Sequence, residues 1–198
     1  MNTISESEFL AWAEARGMGL DPKYPHSAVL TFQASPAQAR FWEVPAEPEC
    51  RPYFILSLLE LMGEWQHCYA WRHLGSWPAA ADPRRINDVV ELQILKGLGL
   101  PLGTAEVVMF DRAELDRLVT LIFSTTVFGW SVGDDLYVVP DHARFILQTD
   151  HHAVLHVSFR SSEDLDHWVA QMAAREFPLP DEVPDATFRW PSWMKREE

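Results

Sequence analysis

From residue 127 to residue 159 the side-chain pattern repeats every second residue. Short polar stretches interrupt it: "GDD" (133–135), "PDH" (140–142) and "DHH" (150–152). They separate candidate strands over 127–132, 136–140, 144–149 and 153–159. A period of two places alternate side chains on opposite faces of a strand. Connections this short cannot carry a parallel crossover, so successive strands must run antiparallel, as a meander.

Ahead of the meander most of the chain reads as helix. Ser5 and Glu8 form a capping-box pair that opens a helix over about 6–16, and Gly17 marks its end. "AVLTF" (28–32) reads as a short strand. Ser35-Pro36 carries an N-cap and a first-turn proline, which predicts a helix ended by Pro45 and Pro48. Residues 53–65 are apolar around most of a helical circumference, with Ser57, Glu60 and Glu64 on one stripe, so this helix is expected to be buried on several sides.

"HCYAWR" (67–72) and "EVVMF" (106–110) read as strands. Asp82-Pro83 opens a helix with Ile86, Val90 and Ile94 at four-residue spacing, ended by Gly97. Asp111 and Glu114 form a second capping-box pair before Leu115, Leu118, Val119 and Ile122. Ser161-Ser162 starts a last helix with Leu165, Trp168, Val169 and Met172 on one face. The expected class is therefore α+β: an antiparallel β-meander of four or more strands, helices packed mainly on one face, and a helical N-terminal half.

At 198 residues and 47% hydrophobic, the chain suits a single α+β domain over 1–198. Within it, 178–198 reads as a Pro-rich extended tail. Its prolines exclude regular helix and central strand, and Phe188, Trp190 and Trp193 are expected to dock it on the body.

The formal net charge of −13 argues against nucleic acid and anionic membrane surfaces, both of which need clustered Lys and Arg. It favours a protein partner, a basic one fitting best. "MNTISESEFLAWAEARG" has no signal-peptide pattern, and Cys50 and Cys68 are too few for a disulfide framework, so a cytoplasmic protein with reduced thiols is expected.

In a meander, alternate turns share a rim. "GDD" and "DHH" should therefore lie side by side, about 10 Å apart, given the spacing of neighbouring strands. That gathers Asp134, Asp135, Asp150, His151 and His152, with Trp130 a few residues back. Three carboxylates and two imidazoles within reach suit a contact surface, a divalent-metal site or simply solvated turns. His156 is excluded from this group. It is four residues along the strand from His152, on the face with Val154 and roughly opposite Phe145, and reads as a satisfied core or half-buried histidine.

Other patterns lack the context their chemistry needs. "GWSVG" (129–133) has the spacing of a nucleophile elbow around Ser131, but the segment after it is a strand where a helix is required. "GLGLPLG" (97–103) follows a helix rather than a strand, so it is a cap and loop. His67 and Cys68 are adjacent on a strand and point to opposite faces. Nine tryptophans favour a well-packed core over an exposed aromatic row.

Three functional readings follow. The first is an acidic protein-interaction module that clamps or blocks a partner. Its general character is that of small acidic proteins that neutralise toxins, an analogy at the level of class. It needs no cofactor. The second is a hydrolase using a divalent metal held by the rim residues. The third is a ligand-binding domain with an aromatic pocket.

Overall fold

The computed structural model describes residues 1–21, 29–33, 38–72, 76–128, 135–150 and 154–180. Strand β1 (Asn2–Ile4) leads into helix α1 (Glu6–Glu14). Its capping box forms as the sequence predicts: the Glu8 amide donates to Ser5 Oγ at 3.3 Å, and the Ser5 amide donates to Glu8 Oε2 at 2.8 Å. Next come strands β2 (Met18–Leu20), β3 (Leu30–Phe32) and β4 (Gln38–Glu43).

Helix α2 (Arg51–Leu61), strand β5 (His67–Arg72), helix α3 (Ile86–Gly97) and strand β6 (Val107–Asp111) follow. Helix α4 (Leu115–Phe128) precedes the hairpin-linked strands β7 (Leu136–Pro140), β8 (Phe145–Asp150) and β9 (Val154–Phe159). Helix α5 (Ser162–Ala174) is capped by Ser161, whose hydroxyl accepts from the Asp164 amide at 3.1 Å.

Seven strands form one antiparallel sheet in the order β1-β6-β5-β7-β8-β9-β4, and β2 pairs with β3 in a separate two-stranded sheet. The sheet has apolar side chains on both faces, because both are covered. On one face Phe54 and Leu58 of α2, Leu95 of α3, Leu121 of α4 and Trp168 of α5 pack against Ala70, Val138 and Leu147. On the other, Phe9 and Ala13 of α1 and Leu30 and Phe32 of β3 pack over Tyr69, Trp71, Tyr137 and Ile146. Among the described residues, α2, α3, α4 and α5 thus share one face.

Two expectations are corrected. The helix expected from Ser35-Pro36 is not there: from Gln38 the chain is a strand, pairing along its whole length with β9 from Gln38↔Phe159 to Glu43↔Val154. Long-range pairing with the free edge of β9 outweighs a local cap signal, because it satisfies every backbone group of an otherwise unpaired edge. The strand expected over 127–132 begins as helix, since Val127 and Phe128 are the last residues of α4; 129–132 lie outside the described residues. The position beside β7 is filled by β5 from much earlier in the chain.

The hairpins β7–β8 and β8–β9 do form the meander. Tail residues 181–198 lie outside the described set.

Candidate functional site at one rim of the sheet

Strand ends define the rim. The register Leu136↔Thr149 places the start of β7 against the end of β8, and Asp150↔Val154 places the end of β8 against the start of β9. One further step of the first register sets Asp135 opposite Asp150. Glu43, the last residue of β4, stands opposite the same Val154. Asp135, Asp150, Val154 and Glu43 therefore form one lateral row across four adjacent strands. Partners in an antiparallel register share a face, and this row belongs to the face that carries α1. Three of its four positions are carboxylate residues.

Asp135 is held in place: Gln148 Nε2 donates to its Oδ2 at 2.7 Å. Gln148 belongs to the next row inward, which runs Trp71, Tyr137, Gln148, His156, Phe41 by successive register pairs. The ends of that row are built as a packed layer. Trp71 and Tyr137 have ring centroids 5.2 Å apart, and Trp71 Nε1 donates to Glu6 Oε1 at 2.9 Å. His156 meets Phe41 edge-on, with centroids at 4.3 Å. It is half-buried, as expected, but its strand partners are Gln148 and Phe41 and not Phe145, which pairs with Phe159.

The opposite side of the same rim is buried. Register pairs there run Arg72, Leu136, Thr149, Leu155, Trp42. Arg72 is 2% exposed, and α3 brings Glu91, 0% exposed, to it with Nη1 and Oε1 3.8 Å apart. A buried arginine without a counter-charge would cost several kcal/mol, so the helix that packs here must carry the carboxylate.

Of the residues singled out from the sequence, Asp135 and Asp150 fall at adjoining register positions, one step beyond Leu136↔Thr149. Trp130, Asp134, His151 and His152 lie outside the described residues. So does Ser131, but its surroundings settle the elbow motif: helix α4 precedes it and strand β7 follows, the reverse of what a nucleophile elbow requires.

Among the described residues no three His, Cys, Asp or Glu side chains gather as a metal-holding group. Among them, too, no helix is long and apolar enough to cross a membrane. Sequence reading missed Glu43 and the Arg72–Glu91 pair. Glu43 reaches the row by long-range pairing, which leaves no local signal. The pair had one: a lone arginine closing an apolar strand, and Glu91 beside Leu92 and Leu95 on the buried stripe of a helix.

Comparison with protein-family models, curated proteins and solved structures finds no match for this chain.

Proposed function

We propose that the chain is an acidic protein-interaction module whose rim row of Asp135, Asp150 and Glu43 receives a basic protein partner. The observation that carries this reading is the register itself, which aligns three carboxylate residues at the ends of neighbouring strands. Net charge of −13 supports it, since a negative field accelerates encounter with cationic partners and repels polyanions.

The test neutralises the row without changing its shape, through the triple variant Asp135→Asn, Asp150→Asn, Glu43→Gln. Capture from the native lysate at low salt should retain a basic protein on the wild type and release it at high salt. The triple variant should melt with the wild type and lose that protein. Equal capture by both would contradict the reading.

A further inference from the structure

We infer that residues 188–196 of this chain dock in cis into an acidic trough with an apolar floor, formed between α2 and residues 176–180. Two cavities, of 510 Å³ and 490 Å³, meet there and share Cys50, Glu176 and Phe177. Trp42, Pro45 and Leu179 line the first; Tyr53 and Leu56 line the second. Tyr53 is 69% exposed and Leu56 51%, two large side chains one turn apart on the outer face of α2. Adjacent apolar groups of that size, rimmed by polar ones, mark a surface that something covers.

The polar lining is acidic. Glu43, Glu47 and Glu176 line the first cavity, and Glu60 and Glu176 line the second. Arg175 is the one cation among the described lining residues, and it already donates to Glu60 Oε2 at 3.0 Å and to Gln171 Oε1 at 2.8 Å.

The chain carries the complement. "FRWPSWMKR" (188–196) combines Phe188, Trp190 and Trp193 with Arg189, Lys195 and Arg196 and has no carboxylate. The flanking stretches 181–187 and 197–198 hold all the acidic residues of the tail. Pro180 lines the first cavity, so the tail departs from the trough itself. At about 3.3 Å per extended residue, 181–187 gives Phe188 ample reach to turn back over either cavity. Tethering on the same chain raises the local concentration of the segment far above that of any free competitor. The inference shares only Glu43 with the rim reading, and it is tested by a readout that needs no partner.

Cys50 supplies that readout. It lines both cavities and is half-buried, whereas Cys68 is 0% exposed and burial pushes its thiol well above the ordinary value. Iodoacetamide therefore reports on Cys50 alone. In the full chain, replacing Phe188, Trp190 and Trp193 by Ala should raise the alkylation rate by about tenfold or more, the scale expected for losing buried aromatic anchors. Charge reversal at Arg189, Lys195 and Arg196 should raise it too, and added salt should speed the wild type. Unchanged rates in both variants would overturn the inference. Protection of wild-type Cys50 that grows with protein concentration would also overturn it, by assigning the trough to a second copy.

Discussion

Arg72 and Glu91 show how a single charged residue fixes what must pack above it. A guanidinium that is 2% exposed at the end of a sheet strand demands a carboxylate, and α3 supplies one from a position that is 0% exposed. Such pairs contribute little net stability over apolar residues of the same volume, yet removing one partner leaves the other charged in a dry site. Glu91→Ala should therefore cost about 3–5 kcal/mol in denaturant unfolding. The double variant Arg72→Met, Glu91→Leu should recover most of that loss, whereas a double variant as unstable as the single would show the pair to be worth more than its shape. Asp135 illustrates the legible part of the site. Chain reversal alone predicts that it faces Asp150, because the hairpin geometry is local. Glu43 completes the row from a strand whose preceding residues, Ser35-Pro36, carry a helix-start signal. Local chemistry of that signal says nothing about the distant edge that claims the strand from Gln38 onward.

The same division holds between elements. Helices α1, α4 and α5 and the hairpins among β7, β8 and β9 are readable because caps, turn residues and periodicity act within a few positions. The insertion of β5 between β6 and β7 is not readable, since two apolar strands fit many neighbours and the choice is made by tertiary packing. Where elements from distant parts of the chain meet, one acidic side chain joins them. Glu114, before α4, accepts from the Asp111 amide at the end of β6 at 3.2 Å, from Arg117 Nη1 at 3.2 Å, and from the amino group of Met1 ahead of β1. Burial alone would raise its pKa. The hydrogen bonds from the amino terminus and the Asp111 amide, with the neighbouring positive charges, win and hold it below the ordinary 4.5.

A carboxyl whose folded pKa is depressed contributes stability that is present above its unfolded value and lost as pH falls through the folded one. Thermal melting should therefore drop steeply below about pH 4.5, and Glu114→Gln should make that drop shallower. The slope should not vanish, because Ser5 hydrogen bonds hold Glu8 low and Arg84 hydrogen bonds hold Asp82 low. An acid slope identical in wild type and variant would remove Glu114 from this role.

At the scale of the whole molecule, helices α2, α3, α4 and α5 pack on one face of the sheet, and α1 with β2 and β3 packs on the other. Of the two rims, the one carrying Asp135, Asp150 and Glu43 joins a one-sign row on one face to a buried ion pair on the other. In the proposed reading, these carboxylate positions are the ones that meet a cationic surface. The most direct measurement is carboxyl footprinting: carbodiimide coupling read residue by residue by mass spectrometry, with and without the captured basic protein bound. The account predicts that coupling at Asp135, Asp150 and Glu43 falls on binding while the exposed Glu163 and Asp166 of α5 are unaffected. Unchanged coupling along the rim row, with protection elsewhere on the molecule, would contradict it.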